Sequence, residues 1–153
     1  MHHWLLKTEP STFSVDDLER AARRTTMWDG VRNYQARNML RDDMKRGDQA
    51  FLYHSSCEMP GIAGIVEVVK QGYPDPTAFD RRHHHYDPDS DPAAPRWYAV
   101  DVKLVRPLRR VITLTELRSA GHQLEGMVLL RAGNRLSVTP VDDGHWQFIL
   151  ALE

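Results

Sequence analysis

Residues 28–37 read Trp-Asp-Gly-Val-Arg-Asn-Tyr-Gln-Ala-Arg. An indole ring stands beside an Asp29-Gly30 turn, and Arg32, Asn33, Tyr34, Gln35 and Arg37 follow almost without apolar padding. Such side chains fill a core poorly but suit a ligand that is flat, polar and anionic. A ring stacks on a base, an amide reads its edge and a guanidinium holds phosphate. The competing reading makes Trp28 a plug in a barrel end, and residue types alone leave both open. Trp97, which ends a Pro-rich loop, poses the same choice, whereas Trp4 and Trp146 sit inside apolar alternation and read as core.

The charge pattern bears on the same question. A formal net charge of −1 argues against a protein that merely coats nucleic acid. Between Arg20 and Arg46, however, eight basic residues (Arg20, Arg23, Arg24, Arg32, Arg37, Arg41, Lys45, Arg46) face three acidic ones (Asp29, Asp42, Asp43). Lys103, Arg106, Arg109 and Arg110 form a second cluster without an acid among them. These are either solvated faces or a local phosphate footprint on an otherwise neutral surface.

Other chemistries find less support. Three consecutive histidines on an extended loop, His83 to His85, should not converge on one ion, because metal sites draw ligands from separate elements. No metal or cofactor is therefore expected. Cys57 is the single cysteine, which excludes an internal disulfide and a cysteine-rich zinc site. His54 lies three residues before it and, on a continuing strand, would face away from it, so no thiol catalysis is expected. Phosphate-cradling, dinucleotide and metalloprotease motifs are absent, and no carboxylate pair stands out as an acid/base couple. No catalytic residue is assigned.

These side chains need a frame. His3–Lys7 reads as a strand, and Ser14 caps a helix running to about Arg24, with Asp17 in capping-box position and Phe13 stapled against Leu18. Ala36, Met39, Leu40 and Met44 stripe a second helix over Tyr34–Lys45, which Gly47 ends. Strands follow at 49–55, 62–70 and 96–105, the last with Tyr98, Val100, Val102 and Leu104 on one face. Residues 71–95 lack periodicity, and 80–95 are expected to be mobile and to cover the mouth of a binding pocket. Thr113 and Glu116 cap a short helix, Leu124–Arg131 reads as another, and "RLSVTPV" with "HWQFILAL" reads as a closing hairpin around Asp143-Gly144.

The result is an α+β fold, a mixed curled sheet or small barrel of five or six strands with helices at its side. With 153 residues, 41% hydrophobic and 27% charged, a single domain over 1–153 is expected. No apolar run approaches ~18 residues and the N-terminus lacks a signal peptide's apolar region, so the expected location is cytoplasmic, with no membrane partner.

Six motifs in order, "WLLKTEPSTFS", "WDGVRNYQARNML", "DQAFLYHSSCEMPGIAGIVEVV", "YPDPTAFD", "YDPDSDPAAPRW" and "LLRAGNRLSVTPV", resemble the EVE domain family over essentially the whole chain. The resemblance implies a PUA-like mixed β-barrel and kinship with readers of modified bases, which hold an extruded base in an aromatic-lined pocket. It implies a non-enzymatic reader whose partner is nucleic acid carrying a modified base, with modified cytosine in DNA favoured over RNA. An RNA-binding module, and an enzyme using Lys7, Glu9 and His54, are the alternatives. Matching positions are Lys7, Glu9, Pro10, Trp28, Gly30, Arg32, Asn33, Tyr53, His54, Ser55, Pro60, Gly61, Trp97, Arg131, Asn134, Arg135 and Ser137. Thr8 replaces the family's usual serine and Met39 a frequent asparagine. The implied base site is Lys7, Thr8, Trp28, Arg32, Asn33, Tyr53, Ser55, Trp97, Arg131 and Ser137, with Trp28 stacking and Asn33 reading a base edge. Arg23, Arg24, Arg37 and Arg41 are the expected phosphate contacts, with Arg32 as a further one.

Overall fold

The computed structural model describes all 153 residues. Six strands form one mixed sheet: β1 (His3–Thr8), β2 (Thr25–Trp28), β3 (Gln49–His54), β4 (Gly61–Pro74), β5 (Tyr98–Thr113) and β6 (Val138–Val141). Their order across the sheet is β2-β5-β4-β3-β1-β6. Only β1 and β3 run parallel, joined by a crossover that carries most of the helical residues of the N-terminal half. The α+β class and the strand number agree with expectation. The edge strands β2 and β6 do not pair with each other, so the sheet stays open rather than closing as a barrel.

Strand alternation sends side chains to two separate cores. Trp4 and Leu6 of β1, with Ala50 and Leu52 of β3, join one cluster, which also holds Leu18, Trp28, Leu40 and Met44. Leu5, Phe51 and Tyr53 point the other way, into a cluster with Leu117, Leu124, Trp146 and Ile149. The period of two thus divides the apolar residues between two packed faces. Helices α1 (Val15–Arg20) and α2 (Tyr34–Asn38) supply the first face, and α3 (Leu114–Ser119) and α4 (Asp143–Leu152) the second.

The capping chemistry of α1 is as its sequence implies: Asp17 N donates to Ser14 Oγ at 3.1 Å and Ser14 N to Asp17 Oδ2 at 2.8 Å. The helix ends at Arg20 rather than Arg24, because a turn at Ala22–Arg24 starts β2, a strand the sequence pattern conceals. β2 has only four residues, too few for alternation to register. α2 continues beyond Asn38 as a wider turn, with Met44 N donating to Met39 O at 2.8 Å, so a regular helix does not reach Lys45. β4 extends to Pro74, and β5, expected over 96–105, runs to Thr113. The expected helix over Leu124–Arg131 is only a pair of short turns, at Gly121–Leu124 and Val128–Leu130.

The largest correction falls on the C-terminal hairpin. "HWQFILAL" is not a strand but part of α4. Trp146 and Ile149, three apart, turn inward together, and Asp143 sits in the first turn where the helix dipole favours an anion. Trp146 stacks on Phe51 at 3.9 Å and on His3 at 4.1 Å between ring centres, locking α4 to the sheet. The end of α4 is tied to β5 by the Glu153 carboxylate, which accepts from Arg106 Nη1 at 2.9 Å and Nη2 at 2.8 Å.

Candidate functional site

A cavity of about 410 Å³ opens where β1 and β2 end. Lys7 and Thr8 enter it from β1, Thr12 and Phe13 from the following turn, Thr26 to Arg32 from β2 and its exit, and Ser137 from the approach to β6. His83, His84 and His85 close one side. The volume lies in the ~300–1,000 Å³ range of small-ligand sites, and Phe13, Met27, Trp28 and Val31 give it an apolar surface among polar groups.

The turn after Trp28 is held by one carboxylate. Asp75 is fully buried; its Oδ2 accepts from Gly30 N and Arg32 Nη1, each at 2.9 Å, and its Oδ1 from Thr77 N at 2.8 Å and Thr77 Oγ1 at 2.6 Å. Burial works to raise the Asp75 pKa, but the bonds from Thr77, Gly30 and Arg32 outweigh it and keep the carboxyl below its ordinary range. Gly30 has φ +77°, and a Cβ there would collide with the His85 ring, so this close approach needs glycine. Arg32 Nη2 donates to His85 O at 2.8 Å and thereby clips the histidine loop to the turn. Arg32 thus positions the rim of the cavity, and its charge is already matched by Asp75.

Lys7 is different. Its backbone N–H donates to Ser137 O at 2.9 Å, which sets Lys7 beside Ser137, but its ammonium makes no ion pair or hydrogen bond within the chain. Burial pushes the Lys7 pKa below its usual value. Thr8 Oγ1 donates to Phe13 O at 2.8 Å, leaving the hydroxyl oxygen free only to accept. The site therefore offers an unpaired cationic donor, a fixed acceptor, the Ser137 hydroxyl and the indole of Trp28.

Of the residues assigned to the base site from the sequence, the fold brings together Lys7, Thr8, Trp28, Arg32 and Ser137. Trp28 joins the two readings of its role: it is 8% exposed within the first core and also lines the cavity. Asn33 stands outside the lining and caps α2, its Oδ1 accepting from Ala36 N at 3.0 Å. Tyr53 is buried in the second core, on the far face of the sheet. Ser55 donates its backbone N–H to Thr8 O at 2.8 Å and supports the cavity from behind. Trp97 is buried away from the lining, its Nε1 donating to Asp87 Oδ2 at 2.6 Å and its ring stacked on Tyr34 at 4.9 Å. Arg131 is exposed beside a separate shallow depression with Arg118 and Met127.

The arginines assigned to phosphate differ in their freedom. Arg23 makes no ion pair, and Arg24 lies 3.9 Å from Glu19. Arg37 donates to Arg96 O at 2.7 Å and Asn38 Oδ1 at 2.8 Å, and Arg41 makes two bonds to Asp42. The second basic cluster also acquires partners: Arg106 pairs with Glu153 and Arg110 with Glu116.

The groups for the acid/base alternative do not assemble. Lys7 lines the cavity, Glu9 is exposed outside its lining, and His54 Nε2 accepts the N–H of Val15 at 3.1 Å. Residues the sequence did not single out for the site are Thr12, Phe13, Thr26, Met27, Asp29 and Val31. All flank motif positions, but nothing in their types marks them. The histidine triplet also departs from expectation. Residues 81–85 form turns rather than an extended loop, with His83 N donating to Asp80 O at 2.9 Å and Tyr86 N to His83 O at 2.9 Å. The turns bring one ring nitrogen from each histidine within 4.8 Å of the others. The triplet does converge.

Comparison with known proteins supplies the family. A model of the EVE domain matches residues 2–152. Human Thymocyte nuclear protein 1 is 46% identical over 167 residues, covering 99% of this chain and 73% of that protein. A crystal structure from Pseudomonas syringae superposes with TM-score 0.92 at 48% identity over 98% of each chain. The human THYN1 protein, crystallised in complex with DNA containing 5-methylcytosine, superposes with TM-score 0.94 at 45% identity, over 99% of this chain and 97% of that one. By the extent of the domain match and this degree of identity, the chain belongs to the EVE domain family.

Proposed function

We propose that this protein is a non-enzymatic reader that holds a modified base, cytosine-type and carried by DNA, in the cavity at the ends of β1 and β2. The single observation that carries the reading is the unpaired Lys7 ammonium in that cavity, which the Trp28 indole also lines. It is supported by the human THYN1 protein's complex with 5-methylcytosine DNA. Cytosine offers ring acceptors to Lys7 and an exocyclic amine to Thr8 Oγ1, which can only accept. Phe13 and Met27 give a methyl substituent an apolar neighbour. Because the base must leave the helical stack to enter such a cavity, flipping costs a few kcal/mol, which stacking of roughly 1–3 kcal/mol offsets. Arg32 orders the rim and leaves phosphate contact to less engaged arginines such as Arg23. A cytoplasmic location belongs to the same reading, on the single Cys57. No helix is long and apolar enough to cross a membrane.

The test is a binding screen on matched oligonucleotides bearing cytosine, 5-methylcytosine, 5-hydroxymethylcytosine or N6-methyladenine, each as DNA and RNA. Preference for a modified cytosine in DNA, with the base unchanged by mass spectrometry, supports the reading. Equal affinity for every oligonucleotide, or conversion of the base, sinks it.

A further inference from the structure

The histidine triplet does more than line the cavity. His83, His84 and His85 each place a ring nitrogen within 4.8 Å of the other two, and the Asp29 carboxylate faces them from another element. Asp29 Oδ2 lies 3.5 Å from His85 Nδ1 and 3.9 Å from His83 Nε2. His85 Nδ1 is buried and makes no hydrogen bond, the Asp29 carboxylate at 3.5 Å being poorly placed to form one. A buried ring nitrogen in that position is costly, and a cation between it and Asp29 would satisfy both. We infer that His83, His84, His85 and Asp29 form a binding site for a divalent transition cation of the Zn²⁺ class, at the rim of the cavity.

The chemistry favours that class. Imidazole nitrogens with one carboxylate suit Zn²⁺ and its neighbours, whereas Mg²⁺ and Ca²⁺ take oxygen ligands. Tetrahedral zinc with ~2.1 Å bonds places its ligand atoms about 3.4 Å apart. The ring nitrogens lie within 4.8 Å of one another, but His83 stacks on His84 at 4.6 Å between centres, so these rings must turn to aim their in-plane lone pairs at one ion. His83 must also change a hydrogen bond. Its Nδ1 now accepts from the His85 N–H at 3.0 Å, so coordination through Nε2 exchanges that bond for the metal and moves the ring proton to Nδ1. The guanidinium of Arg32 is nearby, but Asp75 balances it. A bound ion would fasten the loop holding residues 83–85 to the Asp29-Gly30 turn and so brace the cavity wall. The site stands whether or not the cavity takes a base.

Titration of Co²⁺ into the full chain, followed by visible absorption and then by Zn²⁺ competition, tests this directly. We expect one equivalent with the intense d–d bands of a tetrahedral or five-coordinate site, displaced by Zn²⁺ and untouched by excess Mg²⁺. His84 is exposed, so His84→Ala should fold normally and weaken that equivalent at least tenfold. Asp29→Asn should weaken it less. Background binding by histidines outside the triplet, such as His2 and His3, is left in place by His84→Ala. Absence of a Co²⁺ spectrum, or a spectrum and affinity unchanged by His84→Ala, overturns the assignment.

Discussion

Lys7 carries a charge that the fold gives nothing to balance. Burial already lowers its pKa, and the ammonium has no partner within the chain, so the group costs stability that only a ligand can return. Lys7→Met should therefore act in two directions. Stability should rise by ~0.5–2 kcal/mol, the usual gain when a functional strain is removed. Affinity for a modified-base oligonucleotide should fall by about 1.5–3 kcal/mol, the worth of a charged hydrogen bond. Thermal melting and anisotropy titration on one variant check both, and a fall in stability would mean that Lys7 has a structural partner instead. Trp28 behaves otherwise, since it belongs to the core as well as to the cavity. Trp28→Ala should cost about 3–5 kcal/mol of stability. Trp28→Phe should restore most of that while leaving a weaker stack, measured by denaturant unfolding beside binding.

Among the elements, α1 is anchored to the sheet by an unusual bond. The N–H of Val15, in the helix's first turn, donates at 3.1 Å to Nε2 of His54 at the end of β3. His54 must be neutral to accept it, and burial lowers its pKa below the ordinary 6.5 despite the opposing pull of Asp16. The unfolded chain takes up a proton near pH 6.5 while the folded chain does not, so stability falls as pH drops from there to the lowered folded value. Below that value the two states are protonated alike and the slope ends. His54→Gln keeps an acceptor but cannot titrate. It is expected to flatten the stability profile just below pH 6.5, and urea unfolding across pH 5–8 checks this. An unchanged slope would place its origin in one of the other histidines.

Across the whole molecule, a formal charge of −1 hides a division between committed and available cations. Arg32, Arg41, Arg106 and Arg110 are each matched by a carboxylate, and Arg37 donates to a backbone carbonyl. Arg23 has no such partner and stands with Arg24 in a left-handed turn, φ 56° and 52°, that leads into β2 and on to Trp28. Backbone of this kind is uncommon outside glycine and recurs at functional sites. On duplex DNA, Arg23→Ala should lower the slope of log K against log salt by about one, uniformly across modified and plain bases. Arg41→Ala should change it less, because a phosphate contact there must first break the Asp42 pair. Titrations at three salt concentrations distinguish the two. Equal loss in both variants would show that intramolecular pairing does not decide phosphate contact.

Local patterns in the chain were enough for the α+β class, the Ser14 cap, the presence of a helix from Tyr34 and the strands β1, β3 and β4, because these depend on neighbours a few residues apart. Six ordered motifs also carried the family and the Lys7, Thr8, Trp28 and Ser137 part of the cavity. Where the deciding contacts are distant, sequence pattern was silent or misleading. A four-residue edge strand, β2, becomes a strand only by pairing with β5. The apolar run 145–152 fits strand or helix alike, and packing of Trp146 between His3 and Phe51 selects the helix. Charge clusters that look uncompensated along the chain meet their carboxylates across it, as Arg106 meets Glu153. The same holds for Asn33, spent on a helix cap, and for three adjacent histidines whose ring nitrogens the turns at 81–85 gather within 4.8 Å of one another, facing Asp29. Side-chain chemistry is a property of the residue; which groups remain free to use it is settled by what the tertiary fold places beside them.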